Sequence, residues 1–153
     1  MKITEILPEA LVIPALTGKS KEEVLRELAT AMAAQHPDID ANRLVDVLWE
    51  RERLGSTAIG DGIAIPHGKL PGLKTVLGAF GRHPQGVDFQ SLDGKPTRLL
   101  FLLVAPEDSV GQHLKALARV SRLLKDPAFR SQLMNAPDRG ELFRCIREED
   151  DKY

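Results

Sequence analysis

The chain is poor in cysteine and lacks any long uninterrupted run of apolar residues. Cys145 is the only cysteine among 153 residues, which excludes a disulfide framework and favours a reducing compartment, the cytoplasm. No segment approaches the roughly 20 apolar residues of a membrane span. The N-terminal stretch MKITEILPEALVIPAL is interrupted by glutamate and proline, so it lacks the central hydrophobic region that a signal peptide requires. We therefore expect a cytoplasmic protein without membrane insertion.

An excess of charge of either sign is also lacking. Lysine and arginine number 21 against 22 aspartates and glutamates, which gives a formal net charge of -1. The basic residues are scattered, so we expect no surface for nucleic acid or for anionic membranes. The length suits a single domain over residues 1–153, with a core at 3–147 and a charged, frayed tail at 148–153.

Several common catalytic motifs are absent or incomplete. The GDG at positions 60–62 begins like a dinucleotide-binding fingerprint, but Ile65 stands where the third glycine is needed. The GK at positions 68–69 resembles the end of a P-loop, but Leu70 replaces the Ser or Thr that binds the metal. No GxSxG or HExxH occurs, and the four histidines lack metal-ligand spacing. Nothing in the sequence therefore points to a metal site.

Hydrophobic periodicity predicts helices in the first and last thirds of the chain, with strands between them. Helices are expected over SKEEVLRELATAMAAQ, ANRLVDVLWERERL, EDSVGQHLKALARVSRLLK, PAFRSQLMNA and DRGELFRCI. Strands are expected at KTVLGAFGRH, GVDF and TRLLFLLVA. The last of these is continuously apolar, which is typical of a central strand buried on both faces. Ser20 with Glu23 forms an expected capping box, and Asp40 an N-cap. This order predicts an α/β fold with helices against a mixed sheet.

A histidine between proline and glycine ends a short apolar run in the stretch GDGIAIPHGKL, residues 60–70. Proline fixes its own φ and lacks an N–H donor, whereas glycine frees the backbone to turn away from the ring. We therefore expect His67 to be presented at a sheet edge rather than packed, with an ordinary turn histidine as the alternative. An exposed imidazole is largely neutral at cytoplasmic pH, so a ring nitrogen can act as a nucleophile without an added base.

Two further residues are candidates for the same site. His113 follows an expected capping box of Ser109 and Gln112, in the first turns of a helix whose start favours an anion. It could equally pack at the edge of the apolar stripe that Val110, Leu114 and Leu117 form on this helix. Arg51 continues the apolar stripe of the second helix, whereas Arg53 points to solvent. A salt bridge, or a contact to the last carbonyls of its own helix, is the alternative for Arg51.

An imidazole nucleophile, an arginine, a second imidazole and a helix start all suit a doubly charged phosphoryl group. Each charge-assisted hydrogen bond to that group contributes about 1.5–3 kcal/mol. The residues therefore favour a phosphoryl carrier, and a protein-binding module that is never phosphorylated is the alternative from another class. The remaining histidines, His36 and His83, precede prolines and are expected to be ordinary loop residues.

The stretch STAIGDGIAIPHGKL closely resembles the active-site signature of EIIA domains of the fructose and mannitol type, from the bacterial sugar phosphotransferase system. Similar stretches run from SKEEVLRELATAMA to ELFRCI, so the resemblance covers about residues 3–147. The PHGKL continuation and the absence of attached transporter domains resemble the nitrogen-regulatory branch, EIIA-Ntr, most.

The resemblance implies a three-layer sandwich, in which a mixed β-sheet is flanked by helices on both faces. It implies that His67 is phosphorylated, that His113 stabilises the phosphoryl group and that Arg51 faces the phosphate. The expected donor is an HPr/NPr-like phosphocarrier protein, with no metal and no organic cofactor. The phosphorylation state would regulate partner proteins; the alternative is a sugar-specific EIIA that passes phosphate to a separate EIIB.

Overall fold

The computed structural model describes residues 1–153, in which two helices precede five consecutive strands and three helices follow them. The helices are α1 (Lys21–Gln35), α2 (Ala41–Arg53), α3 (Val110–Leu124), α4 (Pro127–Asn135) and α5 (Arg139–Asp150). The strands are β1 (Val12–Ile13), β2 (Ala58–Gly60), β3 (Ile63–Ala64), β4 (His67–Leu70), β5 (Leu77–Val87) and β6 (Thr97–Pro106). No helix has the length and apolar content that crossing a bilayer requires.

Six strands form one mixed sheet around β6, which pairs with neighbours along both edges. β5 runs antiparallel along one edge, and β1 joins β5 in parallel. β3 and β4 run parallel along the other edge, and β2 forms a hairpin with β3. Every residue of β6 except Arg98 is buried, as the unbroken apolar run TRLLFLLVA predicts for a central strand.

Helices cover both faces of the sheet. Phe80 of β5 pairs with Phe101 of β6, and both line an apolar cluster with side chains of α3, α4 and α5. Val104 lies three residues beyond Phe101, so its side chain points to the opposite face. Its pairing partner, Gly68 of β4, faces Val47 of α2 there. The predicted mixed sheet between two helical layers is confirmed.

Of the three predicted N-terminal helix caps, two are present in the structure. The Ser20 hydroxyl accepts a hydrogen bond from the Glu23 N–H at 3.1 Å, and Asp40 accepts from two N–H groups of the first turn of α2. Ser109 makes no side-chain cap bond to α3, so the capping box predicted there is wrong. Its ψ of 53° departs from the extended geometry that directs an N-cap side chain onto the helix.

The predicted strands KTVLGAFGRH and GVDF merge into the single strand β5. The register against β6 shifts between Arg82 and Val87, and this irregularity accommodates Pro84 within a strand. His83 is buried in this strand, and its Nε2 donates to the Gly18 carbonyl at 2.8 Å. The prediction of a loop histidine at this position is therefore wrong.

The C-terminal segment is anchored rather than frayed up to Asp150. α5 continues to this residue, whose side chain is 0 % exposed. Its carboxylate accepts from the Ile3 backbone N–H at 2.7 Å and from Nε of Arg119 at 2.6 Å. The expectation of a frayed tail from residue 148 is wrong for this stretch, because one carboxylate of a charged run meets partners from distant segments. The boundaries of a single domain remain a prediction.

Replacing Asp150 with alanine should lower the free energy of unfolding by about 3–5 kcal/mol, because it removes one partner from a buried ion pair. Urea titration followed by circular dichroism measures this loss. Asp151→Ala is the matched control. Asp151 is exposed and contacts Lys2 at 3.6 Å, so its removal should change the stability by less than about 0.5 kcal/mol. Equal losses in the two variants would contradict the anchoring role.

Candidate functional site

β3 and β4 form one interrupted strand that keeps a single register along β6. In the gap between them, the Ile65 N–H turns to the Thr57 carbonyl at 3.0 Å, and Pro66 has no N–H. His67 then opens β4 opposite Leu103. Because β2 pairs with β3 alone, the outer side of β4 is a free edge of the sheet. The apolar run therefore delivers His67 to a sheet edge, as predicted.

The hairpin before β3 explains the Asp-Gly pair at positions 61 and 62. Asp61 and Gly62 have φ values of 57° and 80°, and Asp-Gly suits a two-residue turn that requires two positive φ angles. The Asp61 N–H donates to the Asp93 carboxylate at 3.0 Å. Hydrogen bonds from the Ser91 hydroxyl, then from the N–H groups of Asp61 and Lys95, lower the pKa of Asp93 to about 2. The turn thus fixes the start of the strand that leads to His67.

His67 has one ring nitrogen engaged and one available. Nδ1 lies 2.8 Å from the Ile65 carbonyl, which can only accept, so Nδ1 carries the proton. Nε2 keeps its lone pair in this tautomer. Burial lowers the pKa of His67; the Ile65 hydrogen bond opposes this, and the positive charge of Arg51 adds to it. The ring is therefore a neutral imidazole near pH 7, with Nε2 as its nucleophilic atom.

Gly68 has a different role from the one predicted for it. Its φ is not positive, so it is not needed for a turn of the backbone. A Cβ at this position would lie only 2.6 Å from Cγ1 of Val47, so glycine lets α2 pack directly on β4. This close packing brings the C-terminal end of α2, with Arg51, alongside His67.

Arg51 and Arg53 point in different directions, as the apolar stripe of α2 predicts. Arg51 is partly buried, and its Nη1 donates to the Gly55 carbonyl just beyond the helix at 3.0 Å. The alternative of a contact to the last carbonyls of its own helix is therefore not met as stated, because the acceptor lies two residues past the end of α2. The charge of Arg51 also reaches the site, because it lowers the pKa of His67. Arg53 is exposed and pairs with Glu50 at 3.1 Å.

His113 faces His67 across the gap between α3 and β4. The two ring centroids are 5.4 Å apart at an interplanar angle of 74°. His113 is only 6 % exposed, and its Nε2 is buried without a hydrogen-bond partner. Val110 and Leu114, which were expected to pack, are exposed instead. The stripe proposed for α3 was misplaced, because the buried side of the helix is the side that carries His113.

Electrostatics keep His113 neutral as well. Burial lowers the pKa of His113, and repulsion from His67 and from Lys69 lowers it further. Lys69 is exposed on β4, two residues after His67 and hence on the same face of the sheet. The sequence reasoning missed Lys69, although strand alternation after His67 could have identified it.

A buried carboxylate close to the site was also missed. Glu52 lies between the two arginines in the sequence, yet it is 7 % exposed and pairs with Nζ of Lys21 at 2.7 Å. Its position in the charged sequence WERERL resembles that of a solvated residue, so no local signal separates it from its neighbours.

No group of three or more His, Cys, Asp or Glu side chains is arranged to hold a metal ion.

The chain is similar to proteins of one family over nearly its whole length. A family model described as phosphoenolpyruvate-dependent sugar phosphotransferase system, EIIA 2, matches residues 5–149. The nitrogen regulatory protein of Bradyrhizobium diazoefficiens is 44 % identical over 146 residues, which cover 95 % of each chain. The fructose-specific EIIABC component of Bacillus subtilis is 37 % identical over 150 residues, which cover 98 % of this chain and 24 % of that one.

A solved structure agrees with these sequence relationships. The crystal structure of nitrogen regulatory protein IIA-Ntr from Neisseria meningitidis matches with a TM-score of 0.88 and 33 % identity, over 94 % of this chain and 98 % of that one. Arg51, His67 and His113 all lie within the segment that the family model matches.

Arg51→Gln should raise the pKa of His67 toward its ordinary value, because the cation that disfavours the protonated ring is removed. An NMR titration of the His67 Cε1–H resonance measures the change. Arg53→Gln, two residues away on the exposed face of the same helix, is the control and should leave the midpoint unchanged. Identical midpoints in wild type and Arg51→Gln would show that the charge of Arg51 does not reach the ring.

Proposed function

Because the chain belongs to the EIIA 2 family of the phosphoenolpyruvate-dependent sugar phosphotransferase system, we propose that it accepts a phosphoryl group on Nε2 of His67. One observation carries this proposal. The Nδ1 hydrogen bond to Ile65 leaves Nε2 of a neutral, partly exposed imidazole free to attack, beside Arg51 and His113. A nucleophile in this state needs no general base.

In the proposed reaction, the lone pair of His67 Nε2 attacks the phosphorus of a phosphohistidine on the donor protein. A P–N bond to His67 forms while the P–N bond to the donor breaks, and the donor imidazole leaves with the bonding electron pair. The Nδ1 proton stays on the ring, where the Ile65 carbonyl stabilises the positive charge that develops. Phosphoryl transfer depends mainly on positioning and charge stabilisation, which Arg51 and His113 supply.

The buried Nε2 of His113 supports a role for this residue toward the phosphoryl group. A buried polar atom without a partner costs free energy, so a group that could supply the missing hydrogen bond is of interest here. A ring N–H of His113 can satisfy this need by donating to a phosphoryl oxygen on His67. Lys69 adds positive charge on the same face of β4 and would favour the approach of a dianionic group.

The donor in this proposal is an HPr/NPr-like phosphocarrier protein. Three large apolar side chains, Leu54, Val110 and Leu114, are exposed at the ends of α2 and α3 that carry Arg51 and His113. Exposed apolar side chains around a reactive group are typical of a surface that docks a protein rather than a small molecule. We place this exchange in the cytoplasm.

The physiological output that we propose is regulation of partner proteins by the phosphorylation state of His67. The similarity to nitrogen regulatory proteins along the whole of their length supports this choice. A second candidate is sugar uptake, in which the phosphoryl group passes on to an EIIB. The 37 % identity to one segment of a fructose-specific EIIABC component supports that alternative.

Incubation with a phosphorylated HPr-like protein should give one phosphoryl group per chain, acid-labile and base-stable as a phosphohistidine is. His67→Ala should take up none, and mass spectrometry of the intact protein measures both results. His83→Ala is the histidine control and should be phosphorylated like the wild type. A wild-type chain that takes up no phosphate would leave the protein-binding module as the better account. A chase with EIIB proteins then separates regulation from sugar delivery.

His113→Gln and Arg51→Gln should each slow single-turnover phosphorylation by about 10- to 100-fold, because each removes one charge-assisted interaction of about 1.5–3 kcal/mol. Rapid-quench measurement with saturating phosphodonor gives the rate. Arg53→Gln, whose side chain points to solvent, should react at the wild-type rate. A slow Arg53→Gln together with an unaffected Arg51→Gln would reverse the assignment of the two helix faces.

A further inference from the structure

We propose that Lys21, Glu52 and Thr57 form a buried network whose role is to position the His67 ring and to fix its tautomer. None of the three touches the ring, so they are positioning residues rather than catalytic ones. The effect on the tautomer stands on the structure alone, whereas the effect on the rate rests on the proposed phosphorylation of His67.

The network begins with an ion pair between helices. Lys21 opens α1 and Glu52 lies in the last turn of α2, and both side chains are buried. Nζ of Lys21 lies 2.7 Å from Oε1 of Glu52. A buried charge is costly unless it is paired and hydrogen-bonded, so each of these residues depends on the other.

Thr57 occupies the remaining capacity of the Glu52 carboxylate. Its backbone N–H donates to Oε1 at 3.0 Å, and its hydroxyl donates to Oε2. Thr57 is itself buried, at the end of the loop that leads from α2 to β2. Both oxygens of one carboxylate therefore fix the position of this loop.

The loop is connected to the His67 ring by two backbone steps. The Ile65 N–H donates to the Thr57 carbonyl at 3.0 Å, and the Ile65 carbonyl accepts from Nδ1 of His67 at 2.8 Å. Ile65 lies in the gap between β3 and β4, where its N–H bonds to this loop and not to β6. The orientation of the Ile65 peptide, and with it the acceptor for Nδ1, is therefore set by Thr57.

A second loop supports the same network from the opposite side. Nζ of Lys21 donates to the Gln90 side-chain carbonyl at 3.2 Å and lies 4.8 Å from the ring centroid of Phe89. The Ser56 hydroxyl donates to the Phe89 carbonyl at 2.6 Å. The ammonium group is thus held between a carboxylate, an amide and an aromatic face. Small movements of the Thr57 loop are resisted from two directions.

A purely structural role would be to join α1 and α2, and it predicts no effect on the ring. An imidazole without a fixed acceptor samples both neutral tautomers, and only the Nδ1–H form leaves Nε2 as the nucleophile. The ¹⁵N chemical shifts of the two ring nitrogens report the tautomer directly. They can be measured on the unphosphorylated protein, which makes the readout independent of any transfer reaction.

Thr57→Val is the main test, because it removes the hydroxyl donor and keeps the backbone N–H and most of the volume. We expect the ¹⁵N shifts of Nδ1 and Nε2 of His67, measured on the neutral ring, to move toward each other. Phosphorylation should slow about tenfold, since small misplacements of a reacting group cost rates of this order or more. Thr57→Ser, which keeps the hydroxyl, should show the wild-type ¹⁵N shifts. Its phosphorylation rate should lie within about twofold of the wild-type rate.

Thr97→Val is the matched control. Thr97 is fully buried at the start of β6, and its hydroxyl has no hydrogen-bond partner. The same substitution there should change neither the His67 shifts nor the rate. The proposal is overturned if Thr57→Val lowers stability but leaves the shifts and the rate at wild-type values. It is also overturned if Thr57→Ser behaves like Thr57→Val.

Amide exchange of the wild-type protein provides a test that needs no substitution. The Ile65 N–H should exchange as slowly as the paired N–H groups of β6, and fast exchange would show that the Thr57 carbonyl does not fix it.

Failure of the proposed function would give a different result from failure of the network. A wild-type chain that accepts no phosphate but keeps a single Nδ1–H tautomer, lost in Thr57→Val, would leave the network intact and refute the carrier role alone.

Discussion

The hydrogen bond from Nδ1 of His67 to the Ile65 carbonyl is the interaction on which the rest of the site depends. It decides which ring nitrogen carries the proton and therefore which one can form a bond. The carbonyl is available because Ile65 faces away from β6, where the Pro66 carbonyl accepts from the Leu103 N–H instead. The N–H of Thr57, which lies opposite Ile65, donates to the Glu52 carboxylate and not to this carbonyl. Without this acceptor, neither neutral tautomer of the ring would be favoured.

The sheet positions the His67 ring, and two helices each bring one side chain to it. β6 is buried along almost its entire length and gives β4 a rigid partner. α2 approaches because Gly68 has no Cβ, and this approach carries Arg51 toward the site. α3 begins just after β6 ends and turns His113 inward, 5.4 Å from the ring of His67. The same packing buries both histidines and lowers their pKa values, so the neutral state of the His67 ring is a property of the fold.

The five helices, β5 and β6 were predictable because their signals are local, whereas the short strands β1 to β4 carry too little pattern and were not predicted as strands. The apolar run of β6, the caps at Ser20 and Asp40, and the stripe that separates Arg51 from Arg53 all depend on neighbouring residues. The errors occurred where a local pattern permits two outcomes. α3 has apolar residues on more than one side, and the side that packs against the sheet carries His113, so His113 is buried while Leu114 is exposed.

Buried charges mark the limit of what a single sequence reveals here. Asp150 and Glu52 stand in charged strings that are typical of solvated surfaces, yet each meets a partner that the chain brings from far away. Asp150 binds the Ile3 N–H across 147 positions, and Glu52 pairs with Lys21 at the start of another helix. The placement of His67 at a sheet edge is encoded in a few consecutive residues around it, which is why this placement could be predicted. The orientation of the ring depends on pairs of residues that only the folded chain brings together.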